Sequence, residues 1–336
     1  MRSIITRPSY MLVAFLVFCL LPVIAAAQVP QFDSLYVFGD SLADTGNIFI
    51  QTKAMRMNPP VPPSVTPHMT YFEHRFSNGY MAFEFLWERL SGHRPGSSRG
   101  LKPFLESPVL PKTGAINFAF GGTGTPYVDQ TPGGFYSPGL KGQVELFRLA
   151  LRGSRPSPRS LYVVSTGAND YRDYFNIPMN PIDVVNNIEQ AIGSLYRIGA
   201  RHVMVVDLPD LGYVPTNYGN QDATDLSLYH NFLLDGAVAR LRAQYPSLRL
   251  TLLELDPLFT RLRVTMDAEH PLLDAYVPTK PWLSTCLLNP VSCEDVPPIL
   301  FNSPFPFIFW DDVHPTTEAH HFLGDYAYEQ LVNTYQ

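Results

Sequence analysis

The sequence has no apolar run long enough to cross a bilayer as a helix, which takes about 20 consecutive apolar residues. A shorter run, 11–24, follows two arginines and leads into three alanines that end at Ala27. This pattern is typical of a secretory signal peptide rather than of a membrane anchor. We therefore expect cleavage near Ala27, which removes residues 1–27 and leaves residues 28–336 as one exported domain.

Cysteine is scarce, with three in the chain, and Cys19 leaves with the expected signal peptide. The remaining pair, Cys286 and Cys293, does not have zinc-site spacing, no H-E-x-x-H motif occurs, and the adjacent His320 and His321 point apart on a helix. We therefore expect no metal site. In an oxidising compartment the pair is expected to form a disulfide worth about 2–3 kcal/mol, and two free buried thiols are the alternative.

Charge is also sparse, since charged residues make up 16% of the chain and the formal net charge is −6. Removal of residues 1–27 deletes two arginines and no acids, so the charge of the exported protein becomes about −8. An acidic surface does not attract a phosphate backbone, and we expect no nucleic-acid partner. With 336 residues and 46% hydrophobic residues, the chain can bury a large core.

Patterns of buried strands alternate with patterns of amphipathic helices along the chain, without internal repeats. Strands are predicted at 34–38, 115–120, 161–165, 202–206 and 248–255. Helices are predicted at 80–90, 140–151, 181–198, 223–243 and 315–332. This alternation predicts a single doubly wound parallel α/β domain. The proline-rich segments 58–67 and 267–310 are expected to be loops.

Ser41 follows the first predicted strand and stands two residues after Gly39, where we expect the glycine to let the backbone turn. The carboxyl ends of parallel strands are where α/β proteins build their sites. A serine there becomes a nucleophile only with a base, an acceptor that orients the base, and donors for an oxyanion. Without these partners it is a capping residue. The nearby Asp40, Asp44 and Asn47 are interpreted as turn and cap formers.

A candidate base, His314, stands before Pro315 at the start of the last predicted helix. A residue before proline is kept out of the helical region, so we expect an exposed imidazole at the mouth of the helix. Asp311, three residues earlier, could orient the ring, although an aspartate and a histidine could also merely cap the helix. The candidate oxyanion donors are the backbone N–H groups of Ser41 and Gly122 and the side-chain amide of Asn169.

Four sequence blocks resemble those of the GDSL or SGNH hydrolases, in that family's order. They are FGDSLADTGN (38–47), NFAFGG (117–122), GAND (167–170) and FWDDVHPT (309–316). The resemblance implies a three-layer α/β/α sandwich with a flavodoxin-like parallel sheet and no cofactor. It also implies that Ser41 is the nucleophile, His314 the base and Asp311 the acid, with an oxyanion hole formed by Ser41, Gly122 and Asn169.

The chain looks most similar to the bacterial secreted phospholipase and lysophospholipase branch, some members of which transfer acyl groups to sterols. This likeness implies an ester hydrolase that acts on lipid and contacts a membrane or micelle transiently; the oligomeric state stays open. An aromatic group before Asp311 would suit a lipid as a wall of its pocket, or else belongs to the core. It comprises Phe305, Phe307, Phe309 and Trp310.

Three alternatives compete with this interpretation. The first is an α/β-hydrolase, which also has its triad in the order Ser, Asp, His. Three features argue against it: Ser41 follows the first strand, the G-D-S-L-A sequence lacks the second glycine of a nucleophile elbow, and the candidate acid lies three residues from the candidate base. An inactive binding module would normally have lost one of the site residues. A short-chain or carbohydrate acetyl esterase on the same triad stays open.

Overall fold

The computed structural model describes residues 31–63, 71–172, 179–255, 257–258 and 308–336. Its helices, all within those ranges, are α1 (Asn47–Ala54), α2 (Ala82–Ser91), α3 (Leu140–Ala150), α4 (Pro181–Ile198), α5 (Gln221–Gln244) and α6 (Thr317–Tyr335). Three sets of residues from the sequence predictions lie outside the described ranges: the expected signal peptide, Cys286 and Cys293, and Phe305 and Phe307.

The strands of the central sheet are β1 (Ser34–Gly39), β2 (Lys102–Pro103), β3 (Gly114–Asn117), β6 (Ser160–Ser165), β7 (His202–Val206) and β8 (Arg249–Leu253). The sheet is parallel and runs in the order β2-β3-β1-β6-β7-β8. Apart from the two-residue edge strand β2, the five strands follow the order 2-1-3-4-5 of flavodoxin-like sheets. The predicted sheet is therefore confirmed. A separate antiparallel hairpin pairs β4 (Val128–Gln130) with β5 (Tyr136–Pro138).

Two layers of helices cover the sheet, one on each face. Because side chains alternate along a strand, Tyr36 and Phe38 of β1 pack in the core beneath α3, α4 and α5. Leu35 and Val37 point the other way and pack in the core beneath α2 and α6. The expected three-layer α/β/α sandwich is the architecture of the described chain.

One predicted strand is too long, and one helix was not predicted. The strand predicted at 115–120 is shorter and ends at Asn117, whose side-chain oxygen accepts the N–H of Ala119 at 2.8 Å. Helix α1 was not predicted, since its residues have no marked apolar stripe. Its first turn is instead held by a carboxylate that precedes it.

That carboxylate belongs to Asp44, which is fully buried. It accepts the backbone N–H groups of Gly46, Asn47 and Ile48 at 2.7–3.0 Å, which are donors that the helix itself leaves without partners. It also accepts the N–H of Gly121, in the loop after β3, at 2.9 Å. Asp44 thus joins the beginning of α1 to the neighbouring strand end.

We predict that Asp44→Ala lowers the free energy of unfolding by at least about 3 kcal/mol, because it leaves four backbone donors without their acceptor. Urea denaturation measures this loss. The matched control is Asp183→Ala, which removes an exposed acid from the first turn of α4 and should change stability by less than about 0.5 kcal/mol. Equal losses in the two variants would contradict the proposed part of Asp44 in the fold.

Candidate active site

Three neighbouring strands, β3, β1 and β6, bring the candidate residues to one edge of the sheet. Ser41 follows β1, Gly122 follows β3, and Asn169 follows β6. The chain leaves β1 toward β3 on one side and reaches β6 on the other, so the sheet order reverses at this point. A crevice forms at such a reversal, outside the carboxyl ends of the strands.

The end of β1 is held tightly in front of Ser41. Gly39 lies in register with Ser165 of β6, and a Cβ at Gly39 would overlap the Ser165 carbonyl oxygen. The glycine is therefore needed for close approach of two strands rather than for the turn that the sequence suggested. The Gln143 side chain from α3 accepts the Gly39 N–H and donates to the Gly39 carbonyl, both at 2.8 Å.

A serine, a histidine and an aspartate are hydrogen-bonded in series. The Oγ of Ser41 lies 2.9 Å from Nε2 of His314, and Nδ1 of the same ring lies 2.6 Å from Oδ2 of Asp311. The turn that carries these two residues is closed by backbone bonds from Trp310 N to His314 O and from Thr316 N to Ile308 O. The structure thus brings together the three side chains that the sequence placed in a triad.

Asp311 is held as an anion. Burial alone would raise its pKa, but the charge of His314 and the hydrogen bonds from the ring and from two backbone N–H groups outweigh burial and lower the pKa to about 2. The two backbone donors are Val313 and His314, at 2.8 and 2.7 Å from Oδ1. A carboxylate that stays ionised at neutral pH can fix the ring with Nδ1 as the donor.

The imidazole is less accessible than the sequence led us to expect. His314 is only 9% exposed, and the Phe76 ring lies over it with 4.9 Å between ring centroids. The hydroxyl of Tyr71 donates to Oδ2 of Asp311 at 2.8 Å. Sequence reasoning missed Tyr71 and Phe76. The one available signal was the sequence RFSNG at 75–79, which is typical of a turn. Its Ser77 Oγ donates to the Pro315 carbonyl at 2.9 Å.

The loops with the candidate oxyanion donors are tied to each other. Gly122 adopts a φ of 77°, a left-handed conformation that favours glycine, and a Cβ there would lie 2.8 Å from Cδ of Pro132. The Asn169 amide donates to the Thr123 carbonyl at 3.0 Å. Because a primary amide has two N–H bonds, Asn169 can hold this loop and still donate to an oxyanion.

A cleft of about 290 Å³ opens beside Ser41 and Asn169. Much of its lining is aliphatic, and the aliphatic residues include Leu42, Leu208, Leu211, Val214, Leu226 and Leu255. Phe309 belongs instead to the core beneath α2 and α6, so for this residue the core interpretation of the aromatic group is right.

The described residues contain no group of three or more histidine, cysteine, aspartate or glutamate side chains placed to hold a metal ion. In the same part of the chain, none of the helices combines the length and the apolar character that crossing a membrane requires.

A parallel α/β/α sheet with this hydrogen-bonded series at its carboxyl edge has the groups that a serine-dependent ester hydrolase needs. A sequence model of the GDSL-like lipase/acylhydrolase family matches residues 35–327. The chain therefore belongs to this family and is an ester hydrolase, which confirms the resemblance seen in its four sequence blocks.

Curated relatives cover most of the chain. It is 27% identical to a GDSL esterase/lipase of Arabidopsis thaliana, over 85% of this chain and 84% of that protein. It is 26% identical to a phosphatidylcholine-sterol acyltransferase of Aeromonas hydrophila, over 94% and 95%. Identity to the secreted effector protein SseJ of Salmonella typhimurium is 29%, over 85% and 60%.

Among solved structures, a member of the lipolytic protein G-D-S-L family from Veillonella parvula aligns over 88% of this chain and 96% of its own. Its TM-score is 0.40 and its sequence identity is 11%.

We predict that the charge of Asp311 contributes about 2 kcal/mol to stability near neutral pH, because its pKa falls from 3.8 to about 2 on folding. A lowered pKa stabilises the folded chain above about pH 4, and this contribution is lost as the pH falls toward 2. Urea denaturation of the wild type and of Asp311→Asn from pH 7 to pH 3 measures it.

The stability difference between these two proteins should shrink as the pH falls below about 4. Asp312→Asn, which alters the exposed neighbouring acid, is the control and should show no such trend. A difference between wild type and Asp311→Asn that stays constant down to pH 3 would contradict the prediction.

Proposed function

We propose that this chain is an exported lipid esterase, of the lysophospholipase or phospholipase A type, that works through an acyl-enzyme on Ser41. The observation that carries the proposal is the hydrogen-bonded series from Ser41 Oγ through His314 to Asp311, at 2.9 and 2.6 Å, beside a cleft rich in aliphatic side chains. The roles given to these residues are part of the proposal.

In the first half of the reaction, Nε2 of His314 takes the proton of Ser41 as Oγ attacks the ester carbonyl carbon. The tetrahedral intermediate then expels the alcohol, which receives this proton from His314. In the second half, water gives a proton to His314 and attacks the carbonyl carbon of the acyl-enzyme. The bond from this carbon to Ser41 Oγ then breaks, the fatty acid leaves, and His314 returns the proton to Oγ. Asp311 keeps the ring in the required tautomer and stabilises its protonated form. The reaction needs no cofactor.

The negative charge on the carbonyl oxygen is proposed to be bound by the N–H groups of Ser41 and Gly122 and the amide of Asn169. Neutral donors fixed before the reaction bind the transition state better than the uncharged ester, and loss of one such donor typically costs about 3–4 kcal/mol. The bond from Asn169 to the Thr123 carbonyl supports this assignment, because it ties Asn169 to the loop of Gly122.

A lipid substrate is proposed on two grounds. The aliphatic residues of the cleft stand beside the nucleophile, where they would cover an acyl chain. One relative, aligned over nearly its whole length, is named as a phosphatidylcholine-sterol acyltransferase. Hydrolysis and transfer share the acyl-enzyme and differ only in whether water or an alcohol such as a sterol removes the acyl group.

Export after cleavage near Ala27, a single domain over residues 28–336 and a disulfide between Cys286 and Cys293 belong to the same proposal. The N-terminal sequence pattern supports export. The name of one relative, a secreted effector protein, is consistent with it.

We predict that residues 28–336 release fatty acid from lysophosphatidylcholine and that Ser41→Ala abolishes this release, because it removes the attacking oxygen. Acetylated xylan and 4-nitrophenyl butyrate are assayed in parallel. The control is Ser160→Ala, which removes a buried hydroxyl at the opposite end of the sheet, where β6 begins, and should keep wild-type activity.

Full activity of Ser41→Ala would overturn the mechanism. Activity of the wild type toward the butyrate or xylan esters alone, lost in Ser41→Ala, would keep the triad. It would replace the lipid esterase by a short-chain or carbohydrate acetyl esterase.

A further inference from the structure

The Tyr71 hydroxyl reaches the candidate triad from outside the four sequence blocks. It donates to Oδ2 of Asp311 at 2.8 Å, and the same oxygen accepts from Nδ1 of His314 at 2.6 Å. We propose that Tyr71 is a positioning residue for ester hydrolysis, which acts through Asp311 and touches no reacting atom. This inference rests on the proposed roles of Ser41, His314 and Asp311.

Charge decides the direction of the hydrogen bond. An ionised carboxylate has only acceptors, and Asp311 is held in that form by its lowered pKa. Burial, together with the charge and hydrogen bond of Asp311, raises the pKa of Tyr71, so the phenol keeps its proton at neutral pH and donates it. The bond is therefore charge-assisted, a class stronger than bonds between neutral groups.

With Tyr71 in place, each oxygen of Asp311 accepts two hydrogen bonds. The backbone N–H groups of Val313 and His314 reach Oδ1, and the Tyr71 hydroxyl and the His314 ring reach Oδ2. The carboxylate is thus held from two parts of the chain that are 240 residues apart. Its plane is fixed before substrate binds, and the plane sets the direction in which it pulls the imidazole.

Aromatic packing holds Tyr71 in this position. Its ring meets Phe76 edge-on, at 6.0 Å between centroids and an angle of 61°, and Phe76 in turn lies 4.9 Å from the His314 ring. Tyr71, Phe76, His314 and Asp311 thus form a closed cycle of contacts. Movement of the phenol would disturb both the acid and the base.

The hydrogen bond from Tyr71 also stabilises the negative charge on Oδ2. This weakens the attraction of Asp311 for a protonated imidazole. Removal of the hydroxyl leaves this charge on Asp311 less shared, and we expect the pH profile of kcat/KM to move to higher pH. Asp40 after β1 and His320 on α6 also interact electrostatically with His314, and Asp312 interacts with Tyr71. A Tyr71 substitution alters none of these three residues.

The test is Tyr71→Phe, assayed with 4-nitrophenyl butyrate from pH 5 to pH 9. We expect kcat to fall about tenfold with KM within about twofold, because a charge-assisted bond that orients the acid is lost. The pH at which kcat/KM reaches half its plateau should rise by about half a unit. Tyr335→Phe, which removes a hydroxyl bonded to His202 at the amino end of β7, is the control and should match the wild type.

A pH profile of Tyr71→Phe that coincides with that of the wild type overturns the inference, whatever happens to kcat. A second test uses Asp311→Asn as the background. If Tyr71 acts through Asp311, Tyr71→Phe has little further effect on kcat there; the same tenfold loss in both backgrounds overturns the inference. Ser41→Ala distinguishes failure of the proposed function from failure of the Tyr71 inference. Full activity of Ser41→Ala refutes the proposed function. An inactive Ser41→Ala, together with an unshifted pH profile of Tyr71→Phe, refutes only the positioning role of Tyr71.

Discussion

The buried carboxylate of Asp44 is the group on which the geometry of the site depends. It holds the first turn of α1, just after Ser41, and the N–H of Gly121, just before Gly122. The chain after Ser41, the candidate nucleophile, and the chain before Gly122, a candidate oxyanion donor, are therefore joined by one buried carboxylate. Gln143 adds a second restraint by holding both polar groups of Gly39 at the end of β1. The sheet supplies rigidity, and these buried polar contacts set the alignment.

The candidate base His314 and the candidate acid Asp311 come from the other end of the chain and are fixed against a segment that precedes α2. Ser77 holds the Pro315 carbonyl and Asn78 accepts the N–H of Thr317 at 2.8 Å, so the start of α6 is anchored beside the 71–78 segment. Tyr71, in the same segment, bonds Asp311 itself. One stretch therefore fixes both the helix that carries the histidine turn and the acid of that turn.

The sequence predicted what short-range patterns encode. Buried strands at 34–38, 161–165 and 202–206 could be recognised as apolar runs, and Ser41 and His314 could be recognised by the blocks around them. Helix α1 could not be recognised in this way, because it has no marked apolar stripe and its first turn is held by the Asp44 carboxylate. Burial of His314 and the contact of Tyr71 with Asp311 depend on residues about 240 positions apart, and no local pattern encodes such a pairing.

Covalent trapping tests whether Ser41 is the nucleophile. Residues 28–336 are treated with an alkyl fluorophosphonate, which reacts with activated serines, and the modified peptide is mapped by mass spectrometry. We expect one phosphonyl group per chain, on Ser41, in proportion to the loss of esterase activity, and we expect His314→Ala to be labelled more slowly than the wild type. Complete inactivation with Ser41 unmodified, or with the label on another residue, would contradict it.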